Sequence, residues 1–92
     1  VANAARTVVT ADALIDVSAT ADAADAGRAI VWADGATRFL GTIKGKGGAL
    51  GGDGAFAEVS GREYLDFQGF ADLSASSGAA GTLLLDPTSL TI

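Results

Sequence analysis

Apolar and polar residues alternate along most of this chain. The odd positions from 9 to 19 read Val9, Ala11, Ala13, Ile15, Val17 and Ala19, and none is charged. Adding 28 gives Thr37, Phe39, Gly41, Ile43, Gly45 and Gly47, and adding 28 again gives Leu65, Phe67, Gly69, Ala71, Leu73 and Ala75. Every charge in the same windows falls on an even position: Asp12, Asp16, Arg38, Lys44, Lys46, Asp66 and Asp72. Side chains of an extended strand point alternately to its two faces, so a period of two held over three copies predicts strands with the odd positions buried. The parity is strict, because a slip of one residue would turn the whole set over.

The copies are an internal repeat. Ile15-Asp16-Val17-Ser18-Ala19 returns in pattern as Ile43-Lys44-Gly45-Lys46-Gly47 and as Ala71-Asp72-Leu73-Ser74-Ala75, 28 residues apart each time. A second marker, a Gly before an apolar run, sits at Gly27, Gly54 and Gly81, 27 apart. Stacking on that marker aligns a third strand as Arg28 to Trp32, Ala55 to Val59 and Thr82 to Asp86. The charge of Glu58 then sends Ala57 and Val59 inward, and places Ile30 and Leu84 inside with them. It also puts Trp32 and Asp86 in one column with Val59, an awkward trio that implies a bend or bulge. The segments 20–26, 47–54 and 76–80 read as loops. The first is Ala-rich but has no large apolar residue with which a helix could pack.

A repeat of about 28 residues with three short strands, none able to bury its face alone, predicts an all-β fold, a parallel β-solenoid of about three coils. The coils are expected at 14–41, 42–69 and 70–92 of a single 1–92 segment, with 1–13 as the end of a preceding coil. Neighbouring coils then lie ~4.8 Å apart, which sets Arg38 over Asp66 and Lys44 between Asp16 and Asp72.

Composition narrows the chemistry. The 92 residues include no Cys, His or Met, which removes disulfides, Cys or His metal sites, His general bases and thiol nucleophiles. Ala (20) supplies much of the 49% apolar content and Gly adds 13 more small residues, against a thick helical core. A net charge of −5 disfavours nucleic acid and anionic membranes, which need a basic footprint. No apolar run approaches the ~18 residues of a membrane span. The opening Val1-Ala2-Asn3-Ala4-Ala5-Arg6 has neither an initiator Met nor a signal pattern, so the chain is expected to be a fragment or a processed piece of a longer one.

Four strings carry a resemblance: ARTVVTADALIDVSA (5–19), GRAIVWADGATRFLG (27–41), GGDGAFAEVSGREYLDFQG (51–69) and GTLLLDPTSLTI (81–92). Together they resemble the repeat region of filamentous-haemagglutinin-like exoproteins, the secreted partners of two-partner secretion systems. The resemblance implies a right-handed parallel β-helix, export through an outer-membrane two-partner secretion transporter, and a bacterial cell-surface or extracellular role as an adhesin or filament. The family's amino-terminal secretion domain is not among these residues, and no Arg-Gly-Asp tripeptide supports integrin-type binding.

Against that reading stands a carbohydrate-binding or polysaccharide-processing β-helix. Asp16 and Asp72, two coils apart, fall within the ~5–9.5 Å that glycoside cleavage uses, but Lys44 between them keeps both ionised, the wrong arrangement for a general acid. No catalytic, metal or cofactor residue is assigned. The string Gly47-Gly48-Ala49-Leu50-Gly51-Gly52-Asp53-Gly54 has one Gly-Gly-x-Gly-like unit where calcium β-rolls need successive ones, and reads as a turn. It fails as a phosphate cradle too, since neither Ser nor Thr follows Lys46. Outward Leu14, Leu40, Tyr64 and Phe70 are the candidate surface contacts, to a glycan, a cell-surface ligand or a neighbouring chain. Neither end of the repeat has a polar cap, so end-to-end self-association through open coils is expected.

Overall fold

The structure is a computed structural model that describes residues 5–92; residues 1–4 of the opening segment lie outside the described residues. Ten strands form among the described residues: β1 (Arg6–Val9), β2 (Leu14–Asp16), β3 (Arg28–Ala33), β4 (Ala36–Phe39), β5 (Thr42–Lys44), β6 (Phe56–Gly61), β7 (Tyr64–Phe67), β8 (Phe70–Asp72), β9 (Thr82–Leu85) and β10 (Ser89–Thr91). They pair into three parallel sheets in the orders β1-β4-β7-β10, β2-β5-β8 and β3-β6-β9. Each strand lies beside its counterpart one coil away, as a β-solenoid of about three turns requires. No helix of the described residues is long and apolar enough to cross a membrane.

The odd positions are inside. Phe39, Ile43, Ala57, Val59 and Leu65 are fully buried in the middle of the stack, with Val9, Ile15, Val17, Ala71, Leu73, Leu83 and Leu85 packed against them from the flanking coils. The rings of Phe39 and Phe67 stack in one column, centroids 5.3 Å apart and planes 7° from parallel. Thr37 and Ser60 are the fully buried polar residues among those described, and the Thr37 hydroxyl donates to the Ser60 carbonyl at 2.6 Å. Val17, Gly45 and Leu73 share another column. A Cβ on Gly45 would press on Ala55, Leu73 and Val17, so the large neighbours fit only because the middle member has none.

The 28-residue spacing holds from β2 to β5 to β8, with Ile15 beside Ile43 and Ile43 beside Ala71. It fails at β1, which pairs with β4 at a spacing of 30: Thr7 lies beside Thr37, and Val9 beside Phe39. The first coil has four residues at the corner before β2, where the next has two. They form a turn in which the Ala13 N–H donates to the Thr10 carbonyl at 3.0 Å and the Thr10 hydroxyl donates to Asp12 at 2.8 Å. Ala11 is therefore an exposed turn residue, not a core neighbour of Phe39. An insertion of two preserves parity, so the rest of the odd set stays inside.

The third sheet corrects the sequence reading. β6 follows β3 at 28, not 27, and β9 follows β6 at 26. Val31, Val59 and Leu85 share the inner column, while Ile30 and Leu84 point outward beside Glu58. Trp32 pairs with Ser60, so the awkward column dissolves and needs no bulge. The cause is loop length: eleven residues join β2 to β3 and β5 to β6, but nine join β8 to β9.

The loops stack as well. Asp25 accepts the Asp53 N–H at 2.8 Å, and Asp53 in turn accepts the Ala79 N–H at 3.0 Å, so each carboxylate pins the next coil's loop. Gly52, beside Asp53, has φ +108°, and a Cβ there would strike the Ala24 carbonyl. The glycine-rich string is thus a turn shaped by close backbone approach, with its one Asp engaged between coils.

Candidate functional site

With the core assigned, function has to be sought on the outer faces and coil ends. On the second sheet the outward columns are Leu14–Thr42–Phe70 and Asp16–Lys44–Asp72. On the third they are Arg28–Phe56–Thr82 and Ile30–Glu58–Leu84, while the exposed Trp32 pairs with Ser60, which is fully buried. On the first, Val8 lies beside Arg38, Arg38 beside Asp66, and Asp66 beside Thr91. The Arg38 guanidinium reaches Asp66 at 3.4 Å, and that of Arg28 lies 5.0 Å from the Phe56 ring centre.

The Asp16–Lys44–Asp72 column has the expected register, but lysine is not what chiefly holds its carboxylates. Asp16 accepts the Ser18 N–H at 3.0 Å, and Asp72 accepts the N–H and hydroxyl of Ser74 at 3.2 and 2.7 Å. Ser18 and Ser74 thereby hold both carboxyls below the ordinary carboxylate range, with a smaller contribution from Lys44 to each and from Lys46 to Asp72. The one lysine in ion-pair contact is Lys46, 4.0 Å from Asp72. Lowered folded values mean that any stability these groups add is present above the unfolded carboxylate pKa and is lost as pH falls through the folded values. Lys44→Glu would stack three carboxylates at ~4.8 Å intervals. It is expected to lower the melting temperature in dilute buffer and to recover in high salt, where repulsion between exposed charges is screened. A shift of the same size at both ionic strengths would place these side chains apart.

The four sequence-predicted contacts do not converge on one patch. Leu14 and Phe70 share an outward column, 59% and 63% exposed, with Thr42 between them. Leu40 is half-buried at the corner between β4 and β5. Tyr64 stands on the first sheet, its hydroxyl donating to Thr91 at 2.9 Å.

Comparison with known proteins leaves the chain to its own sequence and geometry: no family model, curated protein or solved structure matches it.

What the sequence reading missed is where the outward apolar residues lie. Val8, Leu14, Ile30 and Trp32 are exposed on the first coil, and Phe70 and Leu84 on the last strands. Between them the same columns turn polar, with Arg38, Thr42 and Glu58. An open depression of about 380 Å³ at the last coil is lined by Phe70, Leu73, Gly81 and Leu83 among others. A spacing of 27 sets Ile30 and Leu84 inside, whereas the observed spacings of 28 and 26 set them outside. The signal available was the column itself: Glu58 beside Ile30 and Leu84 at spacings of 28 and 26.

The two ends also carry the free sheet edges. Among the described residues, β1, β2 and β3 have a strand on one side only, as do β10, β8 and β9. Their inward residues Val9, Ile15, Val17, Ala71, Leu73, Leu83 and Leu85 are half-buried, where Phe39 and Ile43 in the middle are fully buried. An edge strand with apolar residues on both faces is a template for another strand. The arrangement suits pairing and stacking.

Proposed function

We propose that these residues are a structural and adhesive segment of a bacterial secreted surface exoprotein of the filamentous-haemagglutinin-like kind, forming a rigid stalk or extracellular filament by stacking of coils. The observation that carries this reading is the continuous vertical register: one coil repeats on the next through three sheets, over apolar inner columns. A solenoid of this kind transmits length and stiffness without a catalytic centre, because each coil is supported by its neighbours. The strings quoted above support the family, and with it export through an outer-membrane two-partner secretion transporter and a cell-surface or extracellular location.

The test is the mass and shape of the 92-residue chain across a concentration series, by sedimentation and electron microscopy. Growth in length at constant width, with a β-rich far-ultraviolet spectrum, is the expected result. A β-rich particle that stays monomeric as concentration rises would overturn the reading.

A further inference from the structure

The second sheet and the loops beside it enclose an open polar groove of about 310 Å³, near the lower end of the ~300–1,000 Å³ typical of small-molecule sites. Its floor is a square of side chains from the first two coils. Asp16 lies beside Lys44, and two residues further along the Ser18 hydroxyl accepts the Lys46 N–H at 3.1 Å. The wall is the loop that follows, with Thr20 and Asp22 on the first coil and residues 47–49 on the second. Three backbone bonds strap the two loops together: the Ala19 N–H donates to the Lys46 carbonyl at 2.9 Å, that of Gly48 to Ala24 at 2.9 Å and that of Leu50 to Asp22 at 2.6 Å. The groove is therefore held in shape before any ligand arrives. Its charged groups are available as well. Among the described residues, neither the Lys44 ammonium nor the Asp22 carboxylate has an ion-pair or hydrogen-bond partner.

Two carboxylates and two ammonium groups line the groove, Asp16 and Asp22 against Lys44 and Lys46, and that balance selects the ligand. A sulfated or phosphorylated chain would meet both carboxylates, Asp72 on the next coil, and a net charge of −5 on the whole chain. A metal cation would meet the two lysines. A neutral polyhydroxyl compound opposes neither sign, because each hydroxyl can donate to a carboxylate and accept from an ammonium, and such charge-assisted bonds are the strong ones. Ser18 holds the Asp16 carboxyl below the ordinary range, so it stays an acceptor at neutral pH. Two residues before Asp16 and Asp72 on the same outward face stand the exposed Leu14 and Phe70, an apolar flank on which the C–H face of a sugar ring can lie. Resting on the adhesive reading above, we propose that this groove binds a neutral oligosaccharide, with Asp16 and Asp22 accepting its hydroxyl protons and Lys44 and Lys46 donating to its oxygens. Stacked chains present one such groove each, so individually weak sites act together on a glycan-bearing surface.

Arrays carrying neutral hexose and N-acetylhexosamine oligosaccharides beside their sulfated counterparts test the assignment. The parent chain is expected to bind the neutral spots. Lys44→Ala and Asp22→Ala are each expected to lower that signal about tenfold or more, the scale of one lost hydrogen bond to a charged group, while Arg38→Ala, on the first sheet, leaves it unchanged. All three positions are exposed, and a far-ultraviolet spectrum matching the parent shows that each variant keeps its coils. Binding confined to sulfated spots, or neutral binding that both groove variants retain, would overturn the proposal. The concentration series separates it from the reading on which it rests. Growth without neutral binding overturns the groove and leaves stacking standing, whereas neutral binding that the groove variants lose, by a chain that does not grow, upholds the groove and overturns stacking.

Discussion

Ile43→Asp is expected to abolish folding, while Thr42→Asp, one residue away, leaves a folded chain. Ile43 is fully buried in the middle coil, between Ile15 and Ala71. A carboxylate there loses the aliphatic contacts and must either ionise without a partner or bind a proton against its ordinary pKa. Together these effects cost more than about 5 kcal/mol, comparable to the whole stability of a small domain. Thr42 points outward, half-buried between Leu14 and Phe70. Its replacement costs about 1 kcal/mol or less, the scale of strand propensity and surface substitution. Far-ultraviolet spectra and urea titrations of the two variants decide the matter, and equal damage from both would refute the inward assignment of the odd positions.

Phe39→Ala is expected to lower stability by roughly 3–5 kcal/mol, the range for truncating a buried aromatic. Phe39 is fully buried, stacks on Phe67, and lies beside Val9 in the first coil. The cavity would open in the middle of the stack, where strands above and below restrain collapse. Truncating Phe70, on the outer face, removes little buried contact and is expected to change stability by about 1 kcal/mol or less. Urea midpoints with unchanged slopes measure both. A Phe39 variant as stable as the parent would mean that the aromatic column does not hold the coils together.

The two errors in the sequence reading are of different kinds. At the first corner the assumed spacing was wrong by two, and the consequence was small: Val9 replaced Ala11 beside Phe39, and the inner face stayed inner. On the third sheet it was wrong by one, and Ile30 and Leu84 moved from the core to the surface. Side chains alternate with a period of two, so even errors are forgiven and odd ones invert a face.

Alternation and the 28-residue repeat were legible from residue types alone, because burial of one face leaves a periodic record at every coil. So were the Arg38–Asp66 pair and the column shared by Asp16, Lys44 and Asp72, which follow from spacing. The registers of the first and third sheets were decided by tertiary structure. They depend on how many residues each loop spends between strands, and a chain records loop length only after its strand ends are known. The exposed apolar residues on the outer coils and the groove beside the second sheet were settled there too, since both arise from stacking separate segments and neither is a property of any one segment.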